Sequence, residues 1–153
     1  MTAMTIIIED ASIRDLDRLF EIETQCFNEE AFTRKQIAQL LRNYSAISLV
    51  AKENSKIIGF VIGMIYFDRK ASVGHILTID VFLADRRKGV GSKLLRTIEA
   101  VFKEKGVKTS NLEVREDNVA AINLYEKLGY QRIGILKNYY GKANGIYLRK
   151  ILA

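Results

Sequence analysis

Thiol and imidazole side chains are almost absent from this chain of 153 residues. Cys26 is the single cysteine, so an internal disulfide is impossible and a cysteine-based metal site has too few ligands. His75 is the single histidine, and no metal-ligand spacing surrounds either residue. We therefore expect neither a disulfide framework nor a metal enzyme.

Long apolar runs are also missing. No run approaches the roughly 18 residues that span a bilayer, and the first residues lack the basic, apolar and small-residue zones of a signal peptide. No repeat, linker or low-complexity tract divides the chain, whose composition of 48% hydrophobic and 27% charged residues is ordinary for a globular protein. We expect a single domain over residues 1–153, without a membrane segment, in the cytoplasm.

Positive charge is present in excess. The formal net charge of +6 favours anionic partners, which include a phosphorylated cofactor, nucleic acid and acidic peptides. The lysines and arginines are scattered along the chain rather than clustered. The charge by itself therefore leaves these alternatives open.

Hydrophobic periodicity and capping residues predict the order of the elements. Ser12 and Thr33 each have a capping partner three residues later and begin two helices, and two more helices follow Gly91 and Asn118. A turn is predicted at 68–72, and apolar stretches predict strands over 6–8, 46–52, 56–67, 73–83, 111–114, 130–139 and 146–152. The order β-α-α-β-β-β-α-β-α-β-β predicts a mixed α/β fold, with a central sheet of about seven strands flanked by four helices.

The most informative segment runs from Ile79 to Ser92. An apolar strand leads into three basic residues at 86–88, two glycines follow at 89 and 91, and an amphipathic helix begins. Unpaired N–H groups and the helix dipole attract an anion there, and glycine lets the backbone approach it. This pattern predicts a phosphate-bearing ligand. A glycine turn without a ligand is the alternative, because the third glycine of a dinucleotide fingerprint and the ending of a Walker loop are missing.

Two segments together resemble the GCN5-related N-acetyltransferases, the GNAT family. The sequence RRKGVG at 86–91 is similar to the acetyl-CoA motif of that family, Gln/Arg-x-x-Gly-x-Gly/Ala. LEVREDN at 112–118 and AINLYEKLGY at 121–130 resemble the family's LEVR segment and the helix that follows it. Within the family, GHI at 74–76, the LEVR segment and KNYY at 137–140 are similar to protein N-terminal (α-amino) acetyltransferases and their ribosomal-protein-alanine relatives.

The chain departs from these relatives at two positions. Asn28 stands where relatives often have proline, and Asp80 stands where they often have a small residue. If Asp80 points into the core, its carboxyl group needs hydrogen-bond partners.

The resemblance implies direct transfer of an acetyl group from the acetyl-CoA thioester to an amine. The pantetheine arm then pairs with the exposed edge of the fourth strand, and the Val81 N–H polarises the thioester carbonyl. The loop amides from 87 to 92 hold the pyrophosphate. The residues that the resemblance assigns to the cofactor are Ile79, Val81, Phe82, Arg86, Arg87, Lys88, Gly89, Val90, Gly91, Ser92, Asn118, Tyr125 and Lys127. For Lys127, a solvated charge on the helix surface is the alternative.

The attacking amine must be neutral, which favours a chain terminus over lysine as acceptor. An α-amino group has a pKa of about 7.7–8.0 and lysine one of about 10.4, so a modest general base suffices for the terminus. The resemblance assigns this base to Glu113, places His75 at the same cleft, and assigns Tyr125 as proton donor to the CoA thiolate. Each residue also has an alternative without catalysis. Glu113 can form an ordinary pair with Arg115 on the strand surface, His75 can simply lie at the end of a strand, and Tyr125 can pack one face of a helix.

The resemblance also assigns residues to the acceptor. Tyr139 and Tyr140 clasp the first residues of the peptide, and Phe27 and Glu29, on the loop after the first helix, complete the slot. Capture of a free amine by a few backbone contacts is a known recognition mode. Aromatic cover of the core is the alternative for the two tyrosines.

The predicted function is therefore acetyl transfer from acetyl-CoA to protein N-termini, with ribosomal proteins or nascent chains as substrates. Acetylation of lysine or of a small amine by the same fold is the nearest alternative. A non-catalytic RNA- or ribosome-binding module is the alternative from another class; the +6 charge favours it, but an RNA-binding signature is missing. An auxiliary subunit or a homodimer is left open.

Overall fold

The computed structural model describes residues 5–68 and 71–152, and the order of the elements is the predicted one. Of the predicted turn at 68–72, residues 69 and 70 lie outside this range; residue 68 belongs to the third strand and residues 71 and 72 to the fourth, so the strands extend into the predicted turn from both sides. The strands are β1 (Ile6–Asp10), β2 (Ala46–Glu53), β3 (Lys56–Asp68), β4 (Ala71–Val81), β5 (Thr109–Arg115), β6 (Gln131–Tyr140) and β7 (Ala143–Ile151). The helices are α1 (Leu16–Cys26), α2 (Arg34–Arg42), α3 (Val90–Glu104) and α4 (Val119–Lys127).

The strands form one mixed sheet in the order β1-β2-β3-β4-β5-β7-β6. β4 pairs with β5 in parallel, whereas β1 with β2, β2 with β3, β5 with β7 and β6 with β7 pair antiparallel. The described residues fall into two compact units, the first made of 5–64 and 77–100, the second of 65–68, 71–76 and 101–152. The single domain over 1–153 stays a prediction.

The predicted capping residues begin their helices as expected. The Ser12 N–H donates to Asp15 Oδ2 over 2.8 Å in a capping box at a 3-10 turn that leads into α1. The Gln36 N–H donates to Thr33 Oγ1 over 3.1 Å in the box that begins α2. Each box satisfies N–H groups that have no acceptor within the helix.

The fourth strand ends two residues earlier than predicted. β4 stops at Val81, and Leu83–Asp85 forms a 3-10 turn instead of a continuing strand. The Phe82 N–H still donates to the Ile58 carbonyl over 2.8 Å, but the Phe82 carbonyl accepts from the Asp85 N–H over 2.8 Å. A local turn bond therefore replaces the ladder, and the apolar character of residues 82 and 83 does not reveal that change.

The core of the first unit joins the apolar faces of α1 and α2 to residues of β2 and β3. Its members on α1 are spaced three residues apart, which places them on one apolar stripe of the helix. The buried members of this core are Leu16, Leu19, Ile22, Ile37, Val50, Ile57, Phe60 and Ile62. Their packing fixes the end of α1, from which the loop 27–33 departs.

In the second unit, Gly74 of β4 lies against the ring of Phe102 in α3. A Cβ built on Gly74 would come within 2.5 Å of that ring. The Phe102 side chain is fully buried. Lack of space therefore requires glycine at this position.

We expect Gly74→Ala to destabilise the protein by about 1–3 kcal/mol, because a buried ring must move to admit the methyl group. Denaturant unfolding measures the loss. Gly134→Ala in β6 is the matched control, since a Cβ there meets no atom within 4 Å. Equal unfolding free energies for the two variants would contradict the close contact.

The part of the chain that the structure describes contains neither a helix that could span a membrane nor a cluster of metal ligands. None of its helices is both long enough and apolar enough to cross a membrane. Within the same residues, no group of three or more His, Cys, Asp or Glu side chains is placed to hold a metal ion.

Candidate active site

The start of α3 presents backbone amides that have no helical acceptor. The helix begins at Val90, so Gly91 lies in its first turn rather than before it. The Lys93 N–H donates to the Gly89 carbonyl over 3.1 Å. The N–H groups of Val90, Gly91 and Ser92 therefore precede this first intrahelical bond, and with the helix dipole they form an anion site.

Two residues ahead of α3 adopt a left-handed backbone conformation. The φ angle is 67° at Arg87 and 80° at Gly89. A Cβ built on Gly89 would meet no atom within 4 Å. Glycine is therefore favoured at position 89 by its backbone conformation and not by lack of space.

An open pocket of about 640 Å³ lies along the first turns of α3. Lys93 and Arg96 contribute positive charge to it, and the Lys93 ammonium group also donates to the Ile6 carbonyl of β1. The residues that line the pocket are Gly89, Ser92, Lys93, Arg96, Thr97 and Ala100. The free backbone amides and the cationic side chains therefore lie beside the same first turns of α3.

The ammonium group of Lys88 is paired within the protein. Its Nζ lies 3.0 Å from Asp85 Oδ1 and 3.6 Å from Glu53 Oε1. The hydrogen bond with Asp85 raises the pKa of Lys88. In this arrangement the side chain ties the loop before α3 to the end of β2 rather than reaching towards a ligand.

The carbonyl group of Val81 accepts from two side chains. The Cys26 thiol donates to it over 3.4 Å and Arg86 Nε over 3.2 Å. Arg86 Nη2 also lies 3.4 Å from the Cys26 sulfur. Burial raises the pKa of the Cys26 thiol, which keeps the thiol protonated as a donor. Cys26 and Arg86 therefore fix the end of β4, and the thiol has the environment of a structural residue, not of a nucleophile.

The predicted cofactor residues of β4 alternate with buried ones. Ile79 and Val81 are half-buried, whereas Thr78 and Asp80 are buried. Ile79 and Val81 share one face of the strand, as its period of two requires, and Phe82 follows at the turn. Asp80 points into the core, where Thr78 Oγ1 lies 2.6 Å from its Oδ1.

In the second unit, His75 and Glu113 lie within hydrogen-bond distance. His75 Nε2 is 2.8 Å from Glu113 Oε1 and 2.9 Å from Oε2. The Tyr139 hydroxyl donates to Glu113 Oε1 over 3.3 Å, and the centre of the Tyr66 ring lies 6.1 Å from that of His75. The side chains of His75 and Glu113 are 26% and 16% exposed. The structure thus brings together three predicted site residues in a cluster that solvent can reach.

The strand register places this cluster. β4 and β5 pair in parallel from Val73 with Thr109 to His75 with Asn111. Glu113 lies two residues after Asn111, so its side chain points to the same face of β5. The family resemblance predicts both His75 and Glu113 as site residues, and the parallel register of β4 and β5 brings their side chains into contact.

The hairpin between β6 and β7 positions Tyr139. Asn138 has a φ of 55°, and its N–H donates to Asn144 Oδ1 over 3.0 Å. The rings of Tyr139 and Tyr140 pack edge to face, with centres 4.9 Å apart. Burial, followed by the negative charge of Glu113, raises the pKa of Tyr139. Its hydroxyl therefore stays protonated and donates to Glu113 at neutral pH.

The three predicted residues of α4 and its cap have clear structural settings. Asn118 Oδ1 caps the helix by accepting from the Ala121 N–H over 3.2 Å. Tyr125 is buried, and its ring centre lies 6.1 Å from that of Tyr130. Lys127 is exposed in the last turn, where a cation complements the helix dipole. The roles of these residues towards the cofactor stay predictions.

The loop 27–33 of the first unit carries Phe27, which is half-buried, and Glu29, which is exposed. Both ends of the loop are bonded to Glu23. The Phe27 N–H donates to the Glu23 backbone carbonyl over 2.9 Å, and the Phe32 N–H donates to Glu23 Oε2 over 3.0 Å. The position of this loop therefore depends on a buried acidic side chain.

Sequence reasoning missed the contact of Tyr66 with His75 and the contribution of Glu23 and Thr78. Tyr66 lies on β3, and its ring meets His75 through a strand pairing that has no local signal. Glu23 and Thr78 carry no motif. The signal that could have found them is the polar character of positions 78 and 80, which occupy the buried face of an otherwise apolar strand.

The sequence profile of the acetyltransferase (GNAT) family matches residues 15–130. The chain belongs to the GNAT acetyltransferase family. An N-alpha-acetyltransferase of Sulfurisphaera tokodaii is 29% identical to this GNAT acetyltransferase over 150 residues, which cover 92% of the chain and 89% of the relative. A ribosomal protein bS18-alanine N-acetyltransferase of Haemophilus influenzae is 36% identical over 141 residues, which cover 91% and 90%.

The fold of this GNAT acetyltransferase is that of a solved relative. The crystal structure of the ribosomal-protein-S18-alanine N-acetyltransferase from Escherichia coli matches it with a TM-score of 0.86 at 27% identity, covering 97% of this chain and 95% of that chain. The predicted family, the mixed α/β fold and the acetyltransferase class are therefore confirmed.

Proposed function

We propose that this GNAT acetyltransferase transfers the acetyl group of acetyl-CoA to the free α-amino group of protein N-termini. The contact of His75 Nε2 with both Glu113 oxygens carries the proposal, because it supplies a base for the amine. The names of the two sequence relatives support α-amino groups as acceptors, and one of them names a ribosomal protein as substrate. Nascent chains as further substrates and a place in the cytoplasm are part of the proposal.

The residues at the start of α3 fit the diphosphate of acetyl-CoA. The N–H groups of Val90, Gly91 and Ser92 have no helical acceptor, and Lys93 and Arg96 add positive charge beside them. Bound acetyl-CoA supplies a thioester with an electrophilic acetyl carbon. The cofactor contacts proposed for this chain are the start of α3, the backbone of the preceding loop from 86 to 89, and Ile79, Val81, Phe82, Asn118, Tyr125 and Lys127.

His75 and Glu113 take the proton that the attacking amine releases. Because Nε2 faces a carboxylate, it carries the proton of the neutral imidazole, and Nδ1 is the basic nitrogen. Glu113 fixes this tautomer and stabilises the imidazolium that forms. A modest general base suffices, since an α-amino group with a pKa of about 7.7–8.0 is already partly neutral at pH 7.

Further roles follow from the positions of the other predicted residues. The Tyr125 hydroxyl is the proposed proton donor to the departing thiolate, and the Val81 N–H is the proposed donor to the thioester carbonyl. Tyr139 keeps its proton and holds Glu113 Oε1. The proposed acceptor contacts are Phe27, Glu29, Tyr139 and Tyr140.

A peptide library with every residue type at position one tests the acceptor. Each peptide carries one internal lysine and is prepared with a free and with a blocked N-terminus. We expect the α-amino group of the free peptides to be acetylated and the blocked peptides to give no product. Mass spectrometry of fragment ions locates the acetyl group. Acetylation of lysine in the blocked peptides, or no transfer to any peptide, would contradict the proposal.

A further inference from the structure

Three buried polar side chains connect β4 to the loop 27–33 within the first unit. Glu23, Thr78 and Asp80 are 1%, 6% and 1% exposed. Thr78 Oγ1 lies 2.8 Å from Glu23 Oε1 and 2.6 Å from Asp80 Oδ1. The second oxygen of Glu23 accepts from the Phe32 N–H over 3.0 Å.

The hydrogen count of this group requires a protonated carboxyl. A threonine hydroxyl has one hydrogen and can donate to one of the two carboxyl oxygens. The other oxygen, which is also within hydrogen-bond distance, must then donate to Thr78 Oγ1. An ionised carboxylate has no hydrogen to donate. Glu23 and Asp80 therefore hold one proton between them.

The surroundings place this proton on Asp80. Both oxygens of Glu23 accept hydrogen bonds, which suits a carboxylate. Asp80 Oδ2 is buried, and among the described residues it has no hydrogen-bond partner. An unpartnered buried oxygen costs less in a neutral acid than in a carboxylate.

The charged and titratable groups around Asp80 agree with this placement. Burial, followed by the charge of Glu23 on α1 and a hydrogen bond with its carboxyl group, raises the pKa of Asp80 well above its usual value near 3.8, although Thr78 and Arg86 oppose the shift. Cys26, on the same helix, is a thiol whose own pKa is raised by burial. From β3, Gly59 approaches the Asp80 carbonyl and brings no charge.

We propose that a proton on Asp80 completes a hydrogen-bonded chain, from Asp80 through Thr78 and Glu23 to the Phe32 amide, that positions the loop 27–33 against β4. These three are positioning residues, since they are buried and act through the loop and the end of β4. The consequence for catalysis rests on the proposed function, in which this loop carries Phe27 and Glu29 and the residue after Asp80 is Val81.

The hydrogen-bonded chain makes the loop sensitive to a rise in pH. Asp80 has a higher pKa in the folded protein than in the unfolded chain. The stability that its proton confers is therefore complete below about pH 4, and it is lost as the pH rises through the raised value. Loss of the proton removes the donor to Thr78 and leaves two buried negative charges side by side.

Two measurements test the hydrogen-bonded chain independently of acetyltransferase activity. They are hydrogen exchange of the Phe32 amide and difference infrared spectroscopy of the carboxyl groups. Asp80→Asn keeps a donor to Thr78, so we expect the wild-type protection factor at Phe32, loss of one carboxylic-acid C=O band, and a protection factor that does not fall as the pH rises. Thr78→Val removes the bridge, and we expect about tenfold faster exchange at Phe32. Glu21→Gln, an exposed change on α1 whose ion pair with Arg18 lies within that helix, should leave both signals unchanged.

Steady-state kinetics of peptide acetylation measures the effect of the hydrogen-bonded chain on acceptor binding. We expect Thr78→Val to raise KM for the acceptor peptide about tenfold with a smaller change in kcat, and Thr78→Ser, which keeps the hydroxyl, to restore the wild-type KM. Wild-type exchange in Thr78→Val, or an acid band that persists in Asp80→Asn, would overturn the proposal. If Thr78→Val does not fold, the infrared band of Asp80→Asn decides. Absence of acetyl transfer, with the exchange and infrared results as expected, would refute the proposed function and leave the positioning chain intact.

Discussion

Glu113→Gln is expected to lower kcat for peptide acetylation about 100-fold or more, because a neutral amide cannot stabilise the imidazolium of His75. Glutamine preserves the size of the side chain and can still accept from His75 Nε2, so binding of the cofactor is expected to stay unchanged. Steady-state kinetics with both substrates varied separates kcat from KM for acetyl-CoA.

Two further sets of variants test whether the effect is specific to Glu113 and whether it depends on His75. Glu126→Gln makes the same change in α4, where the carboxylate pairs with exposed Arg132, and should keep the wild-type kcat. If His75 and Glu113 act as one unit, His75→Ala combined with Glu113→Gln is no slower than the more impaired single variant. Full additivity, or a parallel loss of acetyl-CoA affinity in Glu113→Gln, would contradict the shared role.

Gly89→Val is expected to raise KM for acetyl-CoA about tenfold or more. Position 89 has a φ of 80°, which a β-branched residue adopts only at a cost of about 1–3 kcal/mol. The turn before α3 must therefore rearrange, and the amides of the first helical turn lose their alignment with the diphosphate. Initial rates over a range of acetyl-CoA concentrations measure the change.

Gly106→Val is the matched control for Gly89→Val. Gly106 also has a φ of 80°, and a Cβ there likewise meets no atom within 4 Å, but it follows α3 instead of preceding it. Both variants should lose similar stability, and KM for acetyl-CoA should rise in Gly89→Val alone. An equal rise in both would show that general loss of stability, and not the phosphate loop, causes the effect.

Local signals predict most of the fold. The capping pairs of Ser12 and Thr33 begin α1 and α2 because they satisfy amides within three residues. The end of β4 is the exception. Residues 82 and 83 are as apolar as a strand requires, but Leu83 N–H donates to Gln25 Oε1 over 2.9 Å. A contact across 58 residues of sequence competes there with the local pattern.

The side-chain pairings of the candidate site could be predicted only in part. The resemblance named His75 and Glu113, but their contact depends on the register of β4 and β5. The basic residues at 86–88, with the glycines that follow, predict a phosphate-bearing ligand, whereas the structure pairs the ammonium group of Lys88 with Asp85 and Glu53. Only Asp85 is near Lys88 in sequence, so a charge pattern alone cannot show which cations are neutralised within the protein.

Calorimetric titration of coenzyme A into the protein tests most directly whether the start of α3 binds the diphosphate of the cofactor. Pantetheine, which lacks the diphosphate, is the matched ligand. We predict a saturable one-to-one heat with coenzyme A and no measurable binding of pantetheine under the same conditions. No heat with coenzyme A, or equal affinity for the two ligands, would contradict the account.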